Sequence, residues 1–147
     1  MEIRKMKGLD LEGVARLERL CFSQPWSRMT LAAELGSPGG VFLVAEEEGQ
    51  IAGYLGMQQV LGEGYIGNVA VDPQFRRQGV GSMLVEALIA YGQAHEMEFL
   101  TLEVRESNQP AISLYEKFGF QRVGKRPRFY RDPEEDALLM THFFHQA

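Results

Sequence analysis

Asn68-Val69-Ala70-Val71-Asp72-Pro73 is an apolar run closed by a turn pair, and two residues further on comes Arg76-Arg77-Gln78-Gly79-Val80-Gly81-Ser82, a basic glycine loop. Proline presets a turn dihedral and cannot donate to a sheet ladder, so Asp72-Pro73 ends the strand Tyr65 to Val71 and turns the chain. After Gly79, apolar residues at Val80, Met83, Leu84, Ala87, Leu88 and Tyr91 repeat at the three-then-four spacing of one helical face. A strand, a glycine loop and a helix therefore follow one another. The first backbone N–H groups of a helix have no intrahelical partner and sit at the positive end of its dipole; glycines there let a phosphate approach, and Arg76 and Arg77 add charge. The loop is not a Walker loop, because no Lys followed by Ser or Thr comes after its second glycine. Leu84 stands where a dinucleotide fingerprint has its third glycine.

On the N-terminal side, Val41 to Ala45 and Ile51 to Val60 read as a hairpin turning at Glu48 and Gly49. A short strand, Glu2 to Met6, leads to Asp10, a candidate cap for a helix carrying Leu11, Val14, Ala15, Leu17 and Leu20 and running to about Phe22. Pro25 breaks that pattern. Ser27 can cap a second short helix through Leu31 and Leu35, ended by Gly36, Pro38, Gly39 and Gly40. On the C-terminal side, Phe99 to Val104 reads as a strand and Asn108 to Phe118 as a helix closed by Gly119. Phe120 to Val123 and Ala137 to Phe144 are two last strands around a polar connection. This order predicts a mixed α/β fold in one domain, residues 1–147, and its strand–helix–strand units favour parallel pairing in the second half.

The chain has 147 residues, 45% of them hydrophobic, enough for one substantial core. Its 15 basic and 20 acidic side chains give a net charge of -5, which argues against bulk nucleic-acid binding. Cys21 is the one cysteine, so no internal disulfide can form, and no signal peptide or run of about 20 apolar residues occurs. A cytoplasmic protein with no membrane span is expected.

A second segment, Leu102-Glu103-Val104-Arg105-Glu106-Ser107-Asn108-Gln109-Pro110, offers acid and base groups. Alternation puts Leu100, Leu102 and Val104 on one face of the strand and Thr101 and Glu103 on the other. A carboxylate in an interior strand must be solvated or paired, and Glu103 is a candidate general base. Asn108 and Tyr115 are seven residues apart, close to two helical turns, so one ligand could touch both.

Arg76-x-x-Gly79-x-Gly81 behind Asn68 to Pro73 resembles the acetyl-CoA motif of the GNAT superfamily of N-acetyltransferases. The resemblance extends nearly end to end to the RimI-like ribosomal-protein-alanine N-acetyltransferases, through Phe22 to Trp26, Leu102 to Asn108, Leu114 to Phe120, Tyr130, Glu135-Asp136-Ala137 and Met140. It implies a mixed, mostly antiparallel sheet of about six to seven strands with about four helices, parallel and splayed at the coenzyme-binding strands. It further implies acetyl-CoA as donor with no metal, and the α-amine of an N-terminal alanine on a small-subunit ribosomal protein as acceptor. By the same resemblance, Arg76, Arg77, Gln78, Gly79, Val80, Gly81 and Ser82 hold the pyrophosphate. The backbone of Val69, Ala70 and Val71 bonds the pantetheine arm, Asn108 binds the coenzyme, Glu103 is the general base and Tyr115 the general acid. Phe129 beside Tyr130 departs from the pair of tyrosines that family members often carry.

The partner implied is the N-terminal tail of a ribosomal protein, with the enzyme a monomer. Such tails are generally basic, and acidic residues in the groove would steer them. A small-molecule amine as acceptor, or a coenzyme sensor without catalysis, are the rival readings; Glu103 and Tyr115 are present, which favours catalysis. Cys21 reads as a small buried hydrophobe, and Trp26, in the loop after Pro25, as a clamp for the end of the sheet ahead of the other reading, part of a substrate groove. His95, His142 and His145 have no metal-ligand spacing.

Overall fold

Seven strands form one sheet in the computed structural model, which describes residues 1–145. They are β1 (Glu2–Lys5), β2 (Gly40–Glu47), β3 (Gln50–Val60), β4 (Glu63–Val71), β5 (Phe99–Arg105), β6 (Gln121–Tyr130) and β7 (Glu135–Phe143), ordered β1-β2-β3-β4-β5-β7-β6. The helices are α1 (Leu11–Cys21), α2 (Arg28–Leu35), α3 (Val80–Ala94) and α4 (Gln109–Lys117). None of them is long and apolar enough to cross a membrane.

The β2–β3 hairpin turns at Glu48 and Gly49, both with positive φ (49° and 81°), the mirror-image turn that matches strand twist. Ser27 caps α2, its hydroxyl accepting from the Thr30 amide at 3.1 Å. Asp10 does not cap α1. Its carboxylate is buried and taken by the Arg4 guanidinium, at 2.8 and 2.9 Å, and by the Lys7 amide. These hold its pKa below the usual carboxylate range, the Arg4 bond contributing most.

The polar connection expected after Val123 is strand: β6 runs on to Tyr130, exposed along almost its whole length as the sheet's outer edge. Parallel pairing is confined to β4 and β5, across the crossover helix α3. After α4 the chain skips a place, so β7 lies between β5 and β6 and pairs antiparallel with both.

The two sides of the sheet are covered unequally. On one side α3 and α4 bury Leu84, Val85, Leu88, Ile112 and Tyr115 against Leu55, Met57, Leu100, Leu102 and Met140. On the other, α1 and α2 bury Val14, Leu17 and Leu31 against Phe42, Val44 and Tyr54. Within α1, Leu11, Val14, Ala15 and Leu17 are buried as expected, but Leu20 is 49% exposed and Glu18 takes a fully buried place.

Two features of β4 open the middle of the sheet. Opposite β3, Gly56 pairs with Asn68 but Met57 pairs with Ile66, so Gly67 is the extra residue of a β-bulge. On its other side β4 pairs with β5 only through Glu63, Gly64 and Tyr65 opposite Phe99, Leu100 and Thr101. Beyond Tyr65 and Thr101 the two strands are no longer paired, and a gap separates them.

Candidate active site

That gap is the floor of a cleft of about 1100 Å³. Ile66 to Val69 and Val71 border it from β4, and Leu102 to Arg105 from β5. The N-terminus of α3, the start of α4 and the segments Cys21 to Gln24 and Phe129 to Arg131 close the remaining sides.

The N-terminus of α3 is built around left-handed backbone. Arg77 has φ 66°, and Gly79, which caps the helix without any side-chain bond, has φ 77° and ψ 16°. The first intrahelical bond runs from the Met83 amide to the Gly79 carbonyl at 3.0 Å, so the amides of Val80, Gly81 and Ser82 precede it. A β-carbon on Gly79 would meet nothing within 4 Å, so the space before these amides is open. One on Gly81 would stand 3.2 Å from Leu114, because α3 and α4 converge here. Dipole, free amides and Arg76 and Arg77 are together the kind of groups that can accept a phosphate.

Cys21 donates its thiol to the Val71 carbonyl at 3.4 Å and lies 3.9 Å from Arg76 Nη2. Burial pushes this thiol up from its usual pKa, so it stays protonated and unreactive.

Glu103 and Tyr115 meet the same cleft from β5 and α4. The Glu103 side chain is 30% exposed and pairs with Arg126 of β6, Nε to Oε1 3.3 Å. Tyr115 is buried against Phe120, ring centroids 5.5 Å apart, and its hydroxyl makes no hydrogen bond among the described residues. Burial, and then the neighbouring Tyr130, push the Tyr115 phenol well up, so it remains a proton donor at neutral pH. The Tyr130 phenol is pushed up to about 12, by burial first and then by the Glu103 carboxylate. Tyr115, Tyr130 and Glu103 thus form one electrostatically connected group.

Of the residues singled out from sequence, Val69, Val71, Arg76, Arg77, Gly79, Val80, Gly81, Ser82, Glu103, Asn108 and Tyr115 all line the cleft. Ala70 and Gln78 do not. The Ala70 side chain packs on the α1 side of the sheet, and the Gln78 amide donates to the Gln74 carbonyl at 3.3 Å. Asn108 has a second task as the cap of α4, its Oδ1 accepting from the Ala111 amide at 3.3 Å.

The sequence did not place acids in the groove to draw in a basic tail, and the structure puts few there. Among the described residues lining the cleft, Glu103 is the one acid, against Arg76, Arg77, Arg105 and Arg131. The cleft favours phosphate rather than a cationic peptide.

Sequence reasoning missed Gly67, Asn68 and Arg105. A lone glycine inside a strand pattern was the available signal for the bulge at Gly67. Arg105 lies under the Tyr130 ring, 4.5 Å from its centroid, and donates to the carbonyls of Arg131 and Pro133, both at 2.9 Å. It also bonds Glu135 at 3.2 Å, so it anchors the turn that carries Tyr130 into the cleft. A single arginine in a strand gives no sign of that.

Residues 11–120 match the acetyltransferase (GNAT) family model. The chain is 36% identical over 141 residues to the ribosomal protein bS18-alanine N-acetyltransferase of Escherichia coli (strain K12), covering 95% of each chain. It is 34% identical over 138 residues to the N-alpha-acetyltransferase RimI of Mycobacterium tuberculosis (strain ATCC 25618 / H37Rv), covering 89% of this chain and 85% of that one. The crystal structure of the ribosomal-protein-S18-alanine N-acetyltransferase from Escherichia coli superposes with a TM-score of 0.92 at 34% identity, over 99% of this chain and 95% of that one. Ard1 from Thermoplasma volcanium gives a TM-score of 0.89 at 27% identity, over 99% of this chain and 98% of that one. The chain belongs to the GNAT acetyltransferase family and is an enzyme of that kind.

Proposed function

We propose that this enzyme takes the acetyl group of acetyl-CoA and places it on the α-amine of an N-terminal alanine of a small-subunit ribosomal protein. The observation that carries the reading is the cleft, where the α3 N-terminus, the unpaired edge of β4, and Glu103 with Tyr115 face one space. The residues suit acetyl-CoA. The amides of Val80 to Ser82, with Arg76 and Arg77, answer a pyrophosphate, and a strand edge with unpaired backbone can bond an extended pantetheine arm. The acceptor follows from the relatives, which carry ribosomal-protein-alanine and N-α-acetyltransferase names over nearly their full length.

Each residue then has a stated task. A model α-amine titrates near 7.7 to 8.0 and must lose a proton before its nitrogen can attack the thioester carbon. Glu103 accepts that proton, directly or through water. A backbone amide near Val71 stabilises the oxyanion of the tetrahedral intermediate. When the C–S bond breaks, its electron pair leaves on sulfur, and Tyr115 supplies the proton that makes the free thiol. A tyrosine whose proton is held tightly by burial still serves, because a developing thiolate is generated within its reach and the transfer is concerted with bond cleavage.

The test is acetyl transfer followed by mass spectrometry, on short peptides that differ in a free first-residue Ala, a blocked first residue, or an internal Lys. Acetylation confined to free-amine peptides and fastest with Ala is expected. Acetylation of the lysine alone, or of no peptide despite acetyl-CoA binding, would overturn the assignment of the acceptor.

A further inference from the structure

Glu18 is the one acid at 0% exposure among the described residues, and the acetyl-transfer chemistry makes no use of it. The other two buried carboxylates, Asp10 and Asp72, each meet an arginine, Arg4 and Arg16. Glu18 is held instead by three neutral donors from three parts of the chain. Its Oε1 accepts from the Trp26 amide at 2.8 Å. Its Oε2 accepts from Asn68 Nδ2 at 2.7 Å and from the Tyr54 hydroxyl. Burial, followed by the Glu18 carboxylate, pushes the Tyr54 phenol far up, so Tyr54 stays a donor.

Two of these donors belong to residues that wall the cleft, Trp26 and Asn68. Asn68 directly follows the bulge. The extra residue Gly67 shifts the alternation of β4 by one, so Asn68 and Ala70 turn to the α1 side while Val69 and Val71 turn to the α3 side. The Trp26 ring lies over Gly67, where a β-carbon would stand 3.5 Å from its Cη2. One carboxylate thus fixes both the phase of the strand after its bulge and the loop that roofs the bulge.

We infer that Glu18 is a positioning residue for acetyl transfer: by tying Asn68 and the Trp26 amide to α1, it sets the wall of the cleft formed by the β4 bulge and the Trp26 loop, where the acceptor amine would enter, while leaving the phosphate site at α3 untouched. The inference rests on the acetyl-transfer reading of the cleft. Glu18→Gln keeps the shape but turns an amide N–H₂ against at least one of three donors, so Asn68 and the Tyr54 hydroxyl must turn over to accept from it or a tie is lost.

The experiment compares wild type, Glu18→Gln and Tyr54→Phe. Tyr54→Phe removes the one donor that does not border the cleft. Glu18→Gln is expected to lower kcat/KM for the N-terminal alanine peptide about tenfold or more, with acetyl-CoA affinity by calorimetry within about threefold of wild type. Tyr54→Phe is expected to keep peptide kinetics within about threefold while lowering the melting temperature. Trp26 is the single tryptophan, so its fluorescence reports the loop without any substrate. Red-shifted emission and easier acrylamide quenching are expected in Glu18→Gln, and neither in Tyr54→Phe. Unchanged Trp26 emission with unchanged peptide kinetics in Glu18→Gln overturns the inference. Equal kinetic losses in both variants also overturn it, because they would mark a purely structural role. Failure of wild type to acetylate the peptide would instead sink the acceptor reading, and the fluorescence comparison would still decide the position of Trp26.

Discussion

Replacing Gly79 by alanine adds one methyl group where nothing lies within 4 Å, so no steric clash enters the folded state. The cost is conformational. At φ 77° and ψ 16° the backbone is left-handed, which disfavours an L-residue with a β-carbon by about 1–2 kcal/mol. That energy can emerge in two places. If the loop relaxes in the free enzyme, stability is spared and acetyl-CoA must restore the left-handed turn, weakening binding by roughly 5- to 30-fold. If the loop stays put, affinity is spared and the fold loses the same 1–2 kcal/mol, about 3–8 °C in melting temperature for a chain of this size. The two losses, by calorimetric titration and thermal melting of one preparation, are expected to sum to about 1–2 kcal/mol. Gly79→Asn, which tolerates left-handed backbone, should lose less than half of that. A summed loss below about 0.5 kcal/mol for Gly79→Ala would refute the reasoning.

Glu103→Gln is expected to lower kcat by about 10²- to 10⁴-fold, with acetyl-CoA affinity unchanged within a small factor; wild-type turnover across pH 6–9 would remove Glu103 from proton transfer. Tyr115→Phe should lower kcat by a similar factor. Because the Tyr115 pKa is raised, the wild-type kcat profile should show no alkaline fall from this group below about pH 10; a fall there that vanishes in Tyr115→Phe would contradict the raised pKa, and an undiminished kcat in Tyr115→Phe would contradict the role. Asp72 is also informative. Burial alone would raise its pKa, yet the bonds from Arg16 and the Gln74 amide bring it below its ordinary value of 3.8. A carboxylate depressed in the folded state contributes stability above its unfolded pKa and loses it as pH falls through the folded one. Melting temperature should therefore drop below about pH 4, and less steeply in Asp72→Asn.

Periodicity made α3 legible, because it buries one face and the apolar spacing records it, whereas the β2–β3 hairpin was legible as two continuous apolar runs around a turn pair, because the middle of both strands is buried on both faces. The glycine loop was legible for a local reason: Gly79 caps α3 in left-handed backbone, which glycine adopts at low cost. The rest failed for identifiable physical causes. β6 carries Lys125, Arg126, Pro127 and Arg128 on a strand exposed on both faces, so no alternation marks it. The place of β7 between β5 and β6 is a matter of sheet order, which chain order does not contain. Asp10 had the letter of a helix cap, but Arg4 lies within reach on β1 and outcompetes the helix amides for its carboxylate. Glu18 is hard to read from sequence because its charge argues against a place in the apolar stripe. Its spacing, four residues after Val14 and seven after Leu11, nevertheless puts it there. In the cleft, the residue types named from sequence converge in space, whereas Asn68 and Arg105 act through partners that only the fold supplies.

The gap between β4 and β5 also bears on how the protein stays out of aggregates. An unpaired strand edge is an invitation to foreign strands, and this sheet has outer edges at β1 and β6 and a further one within its own interior. Of the outer two, β1 is only four residues long and β6 carries a row of cations and a proline, features that discourage another chain from adding. The inner one is guarded by geometry. It lies in a slot whose flanking strands are still joined at one end, through Glu63 to Tyr65 and Phe99 to Thr101. A slender ligand can lie in that slot, whereas a strand of another folded sheet would have to bring its own neighbours with it between β4 and β5, which are still joined at one end.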